Sequence, residues 1–140
     1  MKNVYEIFQE FENAATKNDK VEVLRRNGNY ALRSVLQGTF DPNIEFVVER
    51  VPYYKPSDSP PGLGYTSIHQ ELSRIYLFIK NHPKAPAGLS EERREQLLVQ
   101  MLEAMEKREA EVFMNMILKK QKVKGLNSSI VKEAFPDLLP

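Results

Sequence analysis

Cysteine and tryptophan are absent, histidine occurs only at His69 and His82, and neither sign of charge prevails: 20 Lys+Arg face 19 Asp+Glu, a formal net charge of +1. Without cysteine there is no disulfide framework, no thiolate zinc site and no Cys nucleophile. Two histidines are too few for a His-rich metal cluster. Near-neutrality excludes both a strongly basic nucleic-acid coat and an acidic tail. No window approaches the ~18 apolar residues of a membrane span. The opening Met-Lys-Asn-Val-Tyr-Glu turns acidic too early for a secretory leader. These absences lead to the expectation of a soluble cytoplasmic protein with no metal and no cofactor. What remains is 140 residues, 41% of them hydrophobic, the size of a single domain spanning residues 1–140 with one core.

Apolar spacing is helical along most of the chain. Val4, Ile7, Phe8 and Phe11 recur at i, i+3, i+4 and i+7, with acids on the opposite face. Asp19 stands where it can cap a second helix through Val21 and Leu24. A third helix runs from Tyr30 to Leu36, with Gly38 as its expected stop. Ile44, Val47, Val48 and Val51 are also helically spaced behind Asn43, and they predict a helix, although so many β-branched residues leave a strand open. From Pro52 to Gly64, four prolines and two glycines in thirteen residues forbid a regular element. Thr66 or Ser67 opens a helix carrying Ile68, Leu72, Ile75 and Ile79, closed by His82-Pro83. Ser90 caps another, and the charged run Glu106 to Glu109 bends or breaks it before Val112, Phe113, Met116 and Ile117. The expectation is an all-α bundle of seven to eight helices.

Charge is uneven toward the C-terminus. Between Glu91 and Glu111 acids outnumber bases seven to four, whereas Val112 to Lys132 holds five lysines and no acid. Those five are Lys119, Lys120, Lys122, Lys124 and Lys132. Among them, Lys124-Gly125-Leu126-Asn127-Ser128-Ser129 reads as helix stop, glycine turn and helix start. A helix start offers free N–H groups and the positive end of a dipole to a phosphate, and the flanking lysines add attraction to a nucleic-acid backbone. The same lysines also suit plain compensation of a helix C-terminus.

The run from Ile117 to Pro140 resembles the end of the N-terminal DNA-binding domain of ATP-dependent DNA ligases, particularly those of bacteriophages. The residues that carry it are Lys120, Gly125, Ser129, Ile130, Phe135, Pro136, Leu138 and Pro140, with weaker collinear agreement upstream at Thr16-Lys17, Leu24, Leu32-Arg33-Ser34-Val35 and Thr39-Phe40. The resemblance implies a helical domain that holds double-stranded DNA across the minor groove, through amides and basic side chains, without reading bases. Two departures stand out. Lys120 occupies a position where the family typically has Arg, and a lysine cannot fork onto phosphate. None of Asp19, Asp41, Asp58 and Asp137 precedes a glycine, so the Lys-x-Asp-Gly motif that carries the ligase adenylate is missing.

The expected function is therefore a non-catalytic, phage-encoded accessory protein for DNA replication or repair, not an enzyme. Its DNA contacts are Lys119, Lys120, Lys122, Lys124, Gly125, Asn127, Ser128, Ser129 and Lys132, flanked by Arg25, Arg26 and Arg33. The alternative is a protein-interaction module that inhibits or recruits a replication or transcription protein, with Tyr53, Tyr54 and Lys55 as its contact, or a virion component. Other patterns carry less. His69 beside Glu71 reads as a surface histidine, Gly62-Leu63-Gly64 lacks the context of a phosphate loop, and Met101, Met105, Met114 and Met116 read as core filling.

Overall fold

A side chain that accepts a backbone amide stands before most of the helices. Thr16 Oγ accepts from Asp19, Asn29 from Leu32, Ser67 from Gln70, Ser90 from Arg93 and Asn127 from Ile130. Each satisfies an amide that the first helical turn leaves without a partner. In this computed structural model, which describes residues 2–60 and 63–140, these caps open helices in an all-α architecture. Among the described residues there are seven α-helices: α1 (Val4–Asn13), α2 (Lys17–Arg26), α3 (Tyr30–Phe40), α4 (Ile68–Glu71), α5 (Glu91–Ala104), α6 (Lys107–Ile117) and α7 (Ser128–Ala134). Pro61 and Gly62 of the proline-rich stretch lie outside the described residues.

Helix α6 is the hub, packing against α1, α3, α4 and α5, while α7 closes against α2. Phe11, Phe78 and Phe113 are among the largest fully buried side chains, in one core that joins residues from Val4 to Leu139. Burial contributes roughly 1.5–3 kcal/mol for each such ring. Met101, Met105, Met114 and Met116 all lie in this core, Met114 only 2% exposed. The break before α6 falls at Met105, and Glu106 caps the new helix by accepting from Arg108 N at 2.9 Å.

Four expectations are corrected. Helix α2 is capped by Thr16, not Asp19; Asp19 sits in its first turn, where its charge offsets the dipole. Helix α3 does not stop at Gly38 but runs through it to Phe40, and the glycine stands there because a Cβ would meet Met116 Cγ and Sδ at 2.8 Å. The glycine lets α3 and α6 approach. Ile44 to Val51 is irregular rather than helical, with bends at Val47 and Arg50: the Asn43 amide is held by Asp41 Oδ1 at 2.8 Å, and Val47 N donates to Phe78 O at 2.8 Å beside an isolated antiparallel bridge of Phe46 with Ile79. That bridge also shortens the helix expected from Ile68 to Ile79. One α-turn, α4, passes into a 3₁₀ segment, Leu72–Phe78, and Ile79 is drawn out as extended backbone.

Pro52 to Lys55, the start of the proline-rich stretch, form a strap along α5. Val47, Val48 and Pro52 line a groove with Glu91, Arg94 and Leu98, Tyr53 lies by Gln96 and Val99, and Lys55 N donates to Glu103 at 2.7 Å. At the end of the stretch, Gly64 passes so close to the α5–α6 break that a Cβ would meet Glu106 N at 2.9 Å.

Candidate nucleic-acid interface

Helix α6 ends in a reversal built on a lysine. Lys119 has φ 60°, a left-handed conformation rare outside glycine. Around it Lys119 N donates to Met116 O and Lys120 N to Asn115 O, both at 2.9 Å, the paired bonds of a Schellman ending. This reversal sends the Lys119 side chain inward. Its ammonium donates to Gly38 O at 2.9 Å, Asp41 O at 2.7 Å and Ile44 O at 2.6 Å, and lies 5.8 Å from the Phe46 ring centroid. All three proton positions are used. Desolvation pulls its pKa below the ordinary lysine value, opposed by the charges of Asp41 and Glu45. Lys119 is a brace that satisfies carbonyls at the end of α3, so it is removed from the expected DNA contacts.

Beyond Lys119 the chain alternates. Lys120, Lys122 and Lys124 are exposed, whereas Gln121 and Val123 turn toward the protein. Gln121 Nε2 donates to Val112 O at 3.0 Å and to Thr39 Oγ1 at 3.3 Å, and Val123 packs against the core. With Gln121 and Val123 anchored to the protein, Lys120 before them and Lys122 between them are left in solvent, and Lys124 is exposed in the turn that Leu126 N closes onto Val123 O. None of the three takes part in an ion pair among the described residues. The row ends at Gly125, whose φ of 87° makes the turn into α7.

The turn is exposed, as are Asn127, Ser128, Ser129 and Lys132. Its amides are only partly available. Leu126 N is taken by Val123 O and Ile130 N by the Asn127 side chain. Glu12 Oε2 accepts the Lys124 amide at 2.9 Å, which sets a negative charge beside the lysine row. The Gly125, Ser128 and Ser129 amides have no protein acceptor among the described residues. Sequence spacing does not reveal Glu12, which comes from the far end of the chain.

The flanking arginines do not gather at this turn. Arg25 pairs with Glu22 at 2.6 Å and donates to Glu133 O at 3.0 Å, Arg26 pairs with Glu10, and Arg33 lies 5.1 Å from the Phe135 ring centroid. Arg25 and Arg33 thus sit by the opposite, C-terminal end of α7. In the strap, Tyr53 is 95% exposed and Lys55 is exposed, but Tyr54 packs against the core, where burial and then Glu111 raise its phenol pKa. No group of three His, Asp or Glu side chains among the described residues is arranged to hold a metal ion, and no described helix is long and apolar enough to cross a membrane.

A protein-family profile matches residues 7–125, from within α1 to the glycine turn and including the lysine row. The chain belongs to DUF6433, a family of unknown function. No curated protein matches it. The DUF6433 match ends before Asn127, Ser128, Ser129 and Lys132, so it spans the lysine row but not α7.

Proposed function

We propose that this protein is a non-catalytic accessory factor that binds duplex DNA through the phosphate backbone, with Lys120, Lys122 and Lys124 as the principal contacts. The observation that carries this reading is the exposed lysine row: Lys120, Lys122 and Lys124 alternate with the half-buried Gln121 and Val123, and none of the three is in an ion pair among the described residues. Their regular spacing suits a linear polyanion better than a single small anion. Lys132 and the amides of Ser128 and Ser129 supply secondary contacts. The resemblance to the DNA-binding domain of phage ligases supports the same side of the molecule and the same sequence-tolerant mode. It also supports a phage origin and a role in replication or repair.

Phosphate contacts release counterions and are lost at high salt. A labelled duplex is retarded by the protein at low salt, and the triple substitution K120E/K122E/K124E removes the shift while leaving the helical circular-dichroism signal intact. Retention of the shift by a folded triple variant rejects the reading, as does its absence from the unaltered protein.

A second reading has one specific observation behind it. Tyr53, Leu63 and Tyr65 are 95%, 70% and 92% exposed, an unusual cost in water for side chains of this kind. A protein partner that covers these side chains would account for them. In that case Tyr53→Ala weakens capture of the partner, and the lysine substitutions do not.

A further inference from the structure

Three carboxylates are buried where α4 meets the start of α6: Glu71, Glu106 and Glu109, at 7%, 1% and 5% exposure. Two have an arginine. Glu71 pairs with Arg74, and Glu106 accepts from Arg108 Nε at 3.0 Å. Glu109 has none. Its Oε1 accepts one long bond from Ile68 N at 3.4 Å, and its other oxygen, with no protein donor among the described residues, is not sealed from solvent. Glu109 also lines a cleft of about 410 Å³ together with Asn29, Thr66, Ser67 and His69.

From this juxtaposition we propose that the cleft binds a guanidinium group, that of an arginine side chain within a partner polypeptide, with Glu109 as its counter-ion. The molecule's own pairing at Glu71 and Glu106 shows which group compensates buried carboxylates in this region. A guanidinium is planar, stays charged, donates in pairs to carboxylate and stacks on rings. Rings stand beside the cleft: His69 lines it, and Tyr30, 61% exposed, packs edge-on to His69 with centroids 5.9 Å apart. The local field favours a cation. Lys2 also lines the cleft, but it is paired with Glu10. Burial, followed by the charges of Glu106 and Glu6, raises the Glu109 pKa against the hydrogen bond from Ile68, and an incoming cation relieves that penalty. This site is independent of the lysine row and holds whether or not DNA binds there.

The test is an NMR titration with N-acetyl-L-arginine amide, its neutral isostere N-acetyl-L-citrulline amide, and free L-arginine. The expected result is saturable shifts of the Ile68 and Thr66 amides with the blocked arginine and none with citrulline. Free arginine binds more weakly, because its carboxylate meets the negative floor. Glu109→Gln, which keeps the acceptor for Ile68, weakens binding by at least about tenfold, as loss of a charge-assisted pair requires. Should that variant unfold, Tyr30→Ala on the exposed rim serves instead, weakening binding by about two- to fivefold through loss of cation–π contact. No saturable shift, an equal response to citrulline, or undiminished binding in a folded Glu109→Gln or Tyr30→Ala variant overturns the site. Tighter binding of free arginine overturns the assignment to a polypeptide.

Discussion

Lys119 and Lys120 are neighbours with opposite work. Lys119 turns in and gives its three protons to carbonyls of Gly38, Asp41 and Ile44, while Lys120 begins the exposed row. Lys20 repeats the inward role beside Gly125, donating to Phe11 O at 2.8 Å and Glu12 O at 3.2 Å, at the C-terminal end of α1. The contrast shows that a run of lysines has no single meaning. Where a helix ends on a left-handed residue, that residue's side chain is sent back toward the body, and a long cation there can satisfy carbonyls that the helix leaves open. Its neighbours, freed by the reversal, face solvent and remain available to an outside anion.

The sharpest way to break this division is to reverse the outward lysines. K120E/K122E/K124E removes the salt-sensitive part of duplex binding, which for three phosphate contacts is a fall of about 40-fold in affinity between about 50 and 200 mM salt, and leaves the thermal midpoint unchanged; gel retardation and melting curves check both. Lys119→Met gives the opposite pattern. It strands three carbonyls and lowers stability by about 2–3 kcal/mol, read by urea denaturation, while DNA affinity in the folded protein stays the same. Gly38→Ala pushes a methyl into Met116 and costs about 1–2 kcal/mol by the same measurement, again without touching DNA binding.

Two smaller effects sharpen the picture. Burial raises Glu109 above its unfolded-state pKa, so its favourable contribution is present below the ordinary carboxylate range and is lost as pH rises through the raised value. The stability advantage of the unaltered protein over Glu109→Gln therefore shrinks as pH rises through and above the ordinary carboxylate range, measured by urea denaturation at each pH. Glu12→Gln keeps the hydrogen bond to Lys124 N but removes a charge beside the row, and it strengthens duplex binding by about two- to threefold at low salt.

Local signals in the sequence were legible, and long-range ones were not. Ser90, Asn127 and Gly125 were readable because a cap or a turn is decided within four residues. The break at Glu106 was readable from its charge run. Gly38 was misread as a stop because its reason lies in Met116, on another helix. Ile44 to Val51 was misread because Phe46 finds its bridge at Ile79, which overrides the helical spacing. At the candidate site, the exposed lysines were legible as a basic cluster. The roles of Lys119 and Glu12 were not, because Lys119 meets carbonyls 75 to 81 residues away and Glu12 meets an amide 112 residues away.

The most direct test of the outward row is the salt dependence of duplex binding. Three lysines on three phosphates predict that log K falls against log salt with a slope of about −2.7, and that each single Lys→Gln substitution at Lys120, Lys122 or Lys124 makes it shallower by about 0.9. A slope near zero, or one that the three substitutions leave unchanged, contradicts the account.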